Sequence, residues 1–156
     1  MKILDASGVI NLRDRELEGD FITVREAEAE LRDIQSRMKF EAAVATGKIK
    51  FDEPSKKAVK EVSARAANIG CLQMLSPTDI RLLALALEKK LPIVTDDYDI
   101  QNMCAELGLA FERVSMRGIR EKKEWKRKCA ACGKSYTTDV AECEACGSKE
   151  FKVSRR

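Results

Sequence analysis

Histidine is absent from all 156 residues of the chain. That removes the imidazole on which general acid–base catalysis most often relies. A membrane-length apolar run is missing too, since nothing approaches the roughly 20 residues a span needs. The N-terminus passes from Met1 straight into Ile3, Leu4 and Asp5, without the basic stretch and apolar run of a secretory leader, so a cytoplasmic protein is expected. Internal repeats and low-complexity tracts are lacking as well.

What is present is a globular composition. Hydrophobic residues make up 44% and charged residues 35% of a length that suits one domain with a small appendage. The net charge of +3 conceals an asymmetry: residues 1–112 hold 16 Lys/Arg against 20 Asp/Glu, and residues 113–156 hold 13 against 6. An acidic body with a basic tail makes the tail the better candidate for touching phosphate, although solubility alone would also account for it.

Lys2 to Leu4 reads as a short buried strand ending on Asp5, followed by a turn at Ala6-Ser7-Gly8. Phe21-Ile22-Thr23 leads into an amphipathic helix whose stripe is Val24, Ala27, Leu31, Ile34 and Met38. Lys48 to Phe51 suits a strand or an extended connection. Pro54-Ser55 opens a second helix with Val59, Val62, Ala66 and Ile69 inward and Gly70 as its stop. Ser76-Pro77-Thr78-Asp79 starts a third, apolar nearly all round from Ile80 to Leu87. Leu91 to Thr95 reads as a strand, Asp96 to Leu107 as a helix and Leu109 to Val114 as a last strand. This alternation predicts an α/β sandwich with a largely parallel sheet.

Asp5 and Asp97 each follow a predicted interior strand, and in open α/β sheets ligands bind beyond the carboxyl ends of the strands. Asp79 starts the buried helix and could face the same edge. On the first amphipathic helix Glu30 lies nearest the border of the apolar stripe, with Glu26 and Asp33 farther round. Structural roles compete with each assignment. Asp79 forms a capping-box pattern with Ser76, and Asp96, Asp97 and Asp99 can cap the following helix. Glutamates on the first helix can be a solvated face. Asp5 is hardest to dismiss, because a charge closing a buried strand needs a partner or a metal.

Ile3-Leu4-Asp5-Ala6-Ser7, Glu30-Leu31, Thr78-Asp79 and Ile93-Val94-Thr95-Asp96-Asp97, in that order, resemble the motifs of PIN-domain nucleases. The resemblance implies an acidic pocket of Asp5, Glu30, Asp79 and Asp97 holding one or two Mg²⁺ or Mn²⁺ ions, and products with 5′-phosphate and 3′-hydroxyl ends. Hard oxygen ligands suit those ions, and metal-assisted hydrolysis needs no imidazole.

Six cysteines are present, four of them after position 128. Cys129-Ala-Ala-Cys132-Gly133 and Cys143-Glu-Ala-Cys146-Gly147 are matched CxxC-Gly knuckles, the pattern of one structural Zn²⁺ held by four thiolates. Disulfides or a redox CxxC are the alternatives; a cytoplasmic chain disfavours the first, and a matched pair of knuckles the second. So short a segment needs the metal for its folding energy. Cys71 and Cys104 fall outside the pattern and read as small buried apolar residues. Lys122, Lys123, Lys126, Arg127, Lys128 and Lys134 are candidate RNA contacts, with a solvated hinge as the alternative for the linker run. Lys149, Lys152, Arg155 and Arg156 extend the basic surface. Tyr136 and Phe151 could stack on bases or form the segment's small core. The expected division is a nuclease body over 1–114, a basic linker over 115–127 and a zinc ribbon over 128–156.

A PIN-like body joined to a C-terminal zinc ribbon resembles the Nob-type endonucleases, here through Thr23-Val24-Arg25-Glu26, Glu30-Leu31-Arg32-Asp33, Phe51-Asp52-Glu53-Pro54 and Leu75-Ser76-Pro77-Thr78-Asp79-Ile80. The compact length fits the archaeal form. The resemblance implies cleavage of the small-subunit (16S-type) rRNA precursor at its mature 3′ end, with the pre-ribosomal small subunit and its assembly factors as partners and no membrane. Toxin-type PIN ribonucleases and a non-catalytic rRNA-binding assembly factor are the rival readings. Gly8 stands where a bulkier residue is common, and 22–28 lacks a proline frequent in PIN proteins, which leaves the register of Glu30 open toward Glu26.

Overall fold

A computed structural model describes residues 1–10, 19–114, 125–136 and 140–155, with the side chains of 125, 126 and 153–155 left aside. The chain runs β1 (Lys2–Leu4), α1 (Ala6–Ile10), β2 (Phe21–Thr23), α2 (Arg25–Ala29), α3 (Ile34–Ala45), β3 (Ile49–Phe51), α4 (Lys56–Asn68), a 3-10 turn (Leu72–Met74), α5 (Pro77–Lys89), β4 (Ile93–Val94), α6 (Tyr98–Leu107) and β5 (Phe111–Glu112). A second group follows: β6 (Trp125–Cys129), β7 (Ser135–Tyr136) and β8 (Phe151–Arg155).

The first five strands form one parallel sheet in the order β3-β2-β1-β4-β5. Neighbouring residues point to opposite faces of a strand, and here both faces are covered. Ile3, Ile22 and Ile93 pack with α4, α5 and α6, whereas Leu4, Phe21 and Val94 pack with α1 and α3. That double coverage explains why these strands read as unbroken apolar runs rather than alternating ones. The α/β sandwich expected from the sequence is the fold found.

Helix α5 lies deepest, with Leu82, Leu83, Ala84, Leu85 and Ala86 all fully buried. Its start is fixed by a complete capping box between Ser76 and Asp79 with Pro77 in the first turn. Helix α4 starts on the Ser55 hydroxyl, which accepts the N–H of Ala58. It buries Val62 and Ala66, with Val59 and Ile69 half-buried against the same core.

Two local expectations are corrected. The single amphipathic helix is two: α2 ends at Ala29, and Asp33 starts α3 by accepting the N–H of Ser36 at 2.8 Å. Val24, Ala27 and Leu31 are buried as the stripe predicts, but Ile34 and Met38 are 77% and 64% exposed. The new cap resets the rotation, so α3 turns Ser36, Phe40 and Ala43 inward instead. Ala6-Ser7-Gly8 is not a turn but opens α1. A side chain at Gly8 would meet the carbonyl oxygen of Val94 at 2.9 Å. Glycine there lets the helix lie against β4, which accounts for the missing bulk in this motif.

Strands β7-β6-β8 form a separate antiparallel sheet around Cys129, Tyr136 and Cys143, with Val140 and Phe151 half-buried against them. Strand β6 reaches back to Trp125, into the stretch assigned to the linker. No described helix is long and apolar enough to cross a membrane.

Candidate functional site

The strand order reverses between β1 and β4, and a crevice opens beyond their carboxyl ends at such a switch point. Asp5 leaves β1 there, and Thr95, Asp96 and Asp97 leave β4. Asp5 is 3% exposed. Its Oδ2 accepts the hydroxyls of Ser7 at 2.5 Å and Thr95 at 2.7 Å. Each hydroxyl in turn accepts a backbone N–H, Ser7 from Asp96 at 2.9 Å and Thr95 from Asp97 at 3.0 Å. The two amides at the entry to α6 thus polarise both hydroxyls toward one carboxylate oxygen. Gln101, fully buried, steadies the same corner by donating its amide N–H to the Thr95 carbonyl at 3.1 Å.

Asp97 and Asp79 are held by helix ends. Asp97 caps α6 through Oδ1, which accepts from Asp99 and Ile100. Asp79 accepts the N–H of Ser76 on Oδ2 at 2.7 Å. The capping roles available in the sequence are therefore real, but each pins one carboxylate oxygen of two.

Burial pushes the Asp5 carboxyl above its ordinary 3.8, against the lowering effect of Ser7 and Thr95, and the Asp97 charge adds to the rise. Asp79 is pushed up to about 6, first by burial and further by the charges of Asp5 and Asp97. Burial and neighbouring negative charge, that of Asp97 included, thus disfavour the ionised forms of Asp5 and Asp79. A hard divalent cation relieves both burial and repulsion, so the donor set fits Mg²⁺ or Mn²⁺.

Glu30 closes α2 as a half-buried residue whose carboxylate has no hydrogen bond or ion pair among the described residues. Glu26, the fallback, pairs with Arg81 at 3.1 Å. No three of the acidic groups approach within 4.8 Å of one another among the described residues; the four cysteines do. Asp96 Oδ1 stands 4.0 Å from Arg113 Nε, and Asp99 is half-buried in the first turn of α6. The sequence does not single out Ser7 and Thr95 as partners of Asp5, nor Gln101 behind Thr95. The available signal was a hydroxyl two residues after Asp5 and two before Asp97.

All six cysteines are free thiols, with Cys71 and Cys104 buried in the body as expected. Burial pushes both of these thiols up to about 12, which keeps them protonated. In the second sheet the Sγ atoms of Cys129 and Cys146 lie 3.6 Å apart, and those of Cys132 and Cys143 lie 3.5 Å apart. Tetrahedral ligands at about 2.3 Å from Zn²⁺ would sit about 3.8 Å from each other. The four sulfurs therefore fit a tetrahedral ion and are far too separated for disulfides. Both knuckles close alike: Gly133 and Gly147 donate to the carbonyls of Cys129 and Cys143, with φ of 78° and 72°. That left-handed backbone is what glycine after the second cysteine permits.

The basic candidates fare unevenly. Lys122 and Lys123 lie outside the described residues, as does the side chain of Lys126 on β6. Arg127 is 6% exposed, donates to the Val140 carbonyl at 3.2 Å and lies over the Phe151 ring at 4.4 Å, so it holds the ribbon together rather than facing a ligand. Lys128 is exposed, and Lys134 is exposed but paired with Glu144 at 3.1 Å. Tyr136 is 8% exposed and meets Phe151 edge-on at 5.8 Å, which makes them core rather than stacking platforms.

Comparison with known proteins gives the family. The family described as PIN domain of ribonuclease matches residues 3–88. The chain is similar to "Endoribonuclease Nob1" of Methanothermobacter thermautotrophicus, 38% identical over 99% of this chain and 94% of the relative. It is similar to "Endoribonuclease Nob1" of Pyrococcus abyssi, 35% identical over the same shares. A "Ribonuclease VapC1" of Thermoplasma acidophilum is 32% identical over 93% of this chain and 74% of its own length.

Proposed function

The chain belongs to the PIN-domain ribonucleases, in the Nob1 group, and from that premise we propose a divalent-metal-dependent endoribonuclease that cleaves the small-subunit rRNA precursor at its mature 3′ end. What supports the reading is that Asp5, Asp79 and Asp97 come from three elements and lie near enough for their charges to act on one another, with the Asp5 and Asp79 carboxyls raised first by burial. In this reading Asp5, Asp79, Asp97 and Glu30 hold one or two Mg²⁺ or Mn²⁺ ions. When bound, such an ion activates water and offsets the charge that develops on the phosphate.

The protein's own groups prepare that site. Ser7 and Thr95 fix the orientation of Asp5, and the caps of α5 and α6 fix Asp79 and Asp97, so little reordering is needed on loading. Glu30 supplies the fourth acid from α2, while Arg81 keeps Glu26 engaged outside the set. A body over 1–114, a basic linker after it and a ribbon that opens with β6 at Trp125 divide the work. The ribbon holds one Zn²⁺ on Cys129, Cys132, Cys143 and Cys146. Lys126, Lys128 and Lys134 of the ribbon and the linker lysines Lys122 and Lys123 supply positive charge for the RNA backbone, which an acidic pocket cannot attract by itself. The enzyme works in the cytoplasm on the pre-ribosomal small subunit with its assembly factors.

The VapC1 likeness favours a second reading, a toxin-type ribonuclease. The ribbon does not separate the two readings, because this likeness covers 93% of the chain and so extends into the cysteine segment. The test is Mn²⁺-dependent cleavage of an RNA spanning the mature 3′ end. Cleavage lost in Asp5→Asn with RNA binding retained supports the proposal. Binding without cleavage in any divalent ion would leave a non-catalytic assembly factor, and preferential cleavage of unrelated structured RNAs would favour the toxin-type reading.

A further inference from the structure

We propose that Tyr136 is a positioning residue of the four-thiolate centre, its phenolic O–H donating to the Cys143 sulfur and thereby fixing the second knuckle against the first. The inference rests on the metal-centre reading of the ribbon. Tyr136 sits on β7, just after the first knuckle, and pairs with Arg127 of β6. Its hydroxyl oxygen lies 3.1 Å from Cys143 Sγ, the first thiol of the second knuckle. The same oxygen accepts the N–H of Glu144 at 3.1 Å.

Two arguments set the direction of the O–H···S bond. A phenol has one proton and accepts through its lone pairs. The Glu144 amide occupies it as acceptor, so its proton is left for the sulfur. Independently, a metal-bound cysteine is a thiolate and has no proton to give. The hydroxyl therefore touches both the ligand atom and the backbone next to it, from a strand anchored in the other half of the ribbon.

This role separates from core packing. The ring of Tyr136 meets Phe151 edge-on, a contact phenylalanine would make equally well, and only the hydroxyl reaches the knuckle. Groups hydrogen-bonded to metal ligands fix ligand orientation and tune their basicity, and their loss typically costs about 10- to 100-fold in affinity.

The test uses the full chain loaded with Co²⁺ or Zn²⁺, comparing Tyr136→Phe with Phe151→Leu. In Tyr136→Phe the sulfur-to-cobalt charge-transfer band moves to lower energy, because the thiolate recovers donor strength, while the tetrahedral ligand-field pattern stays. Zinc affinity against a competing chelator falls about 10-fold. Phe151→Leu disturbs the ring contact but leaves the hydroxyl, so its band stays at the wild-type energy. Tyr136→Phe with wild-type band energy and affinity overturns the proposal, as does an equal shift in Phe151→Leu. A wild-type chain showing no four-thiolate band overturns the metal-centre reading itself, an outcome distinct from either.

Discussion

At the scale of single residues, the acidic site consists of groups with two duties. Asp97 caps α6 and belongs to the proposed cation site, and substitution separates the two. Asparagine caps a helix about as well as aspartate. Asp97→Asn should therefore keep the wild-type melting temperature while cleavage is lost. Asp97→Ala should lose cleavage and also about 0.5–2 kcal/mol of stability by denaturant titration. A wild-type cleavage rate in Asp97→Asn would remove this residue from the site. Asp79 adds a pH dependence. Its carboxyl is raised from 3.8 to about 6, so the apo protein has the stability from this group below pH 3.8 and loses it as pH rises through about 6. Cation binding runs the opposite way, since the ion needs the ionised form. Calorimetric Mn²⁺ affinity should strengthen up to tenfold per pH unit below about 6 and level off above it. Asp5, Asp79 and Asp97 were legible in the sequence because strand ends and cap patterns are local. The hydroxyl pair on Asp5 was not, because Thr95 reaches it only once β1 and β4 lie side by side.

At the scale of elements, helices and strands were read where one periodicity ran unbroken. α4, α5 and α6 began close to where their caps indicated, with Ser55, Ser76 and Asp97 as N-caps. The reading failed at α2 and α3, where apolar residues continue in register across a break. Ile34 and Met38 extend the stripe numerically, but Asp33 competes for the backbone amide of Ser36 and restarts the helix. Met38→Lys should accordingly change stability by less than about 0.5 kcal/mol in thermal or denaturant unfolding. A loss of several kcal/mol would mean that the stripe is buried after all. Gly8→Ala makes the contrasting case. The added methyl meets the Val94 carbonyl at 2.9 Å, and forced overpacking of this kind costs about 1–3 kcal/mol. Because β4 leads into Asp97, the same variant should also weaken Mn²⁺ binding. Unchanged affinity with a lowered melting temperature would confine the effect to packing.

For the whole molecule, the two sheets have different sources of cohesion. The body has two apolar clusters, one on each side of its sheet, whereas the apolar cluster among the ribbon's described residues has three buried members, two of them cysteines. Cys132→Ser, or a zinc chelator, should abolish the ribbon's fold and weaken RNA binding while the helical signal of the body persists, measurable by circular dichroism alongside zinc content. Retained zinc in Cys132→Ser would contradict the four-thiolate assignment. The chain's division into an acidic part and a basic, cysteine-bearing part was visible from composition. The strands of the ribbon were not, since they are short and the metal-ligand spacing dominates the pattern.

The body's strands are only two or three residues long. A ladder so brief can hold few backbone amides away from water, and the sheet is kept in place chiefly by the helix pressed across it. In deuterated solvent the slowest protons to be replaced should therefore belong to Leu82–Ala86, outlasting those of the strands. The most durable part of this molecule would then be a helix rather than the sheet it covers.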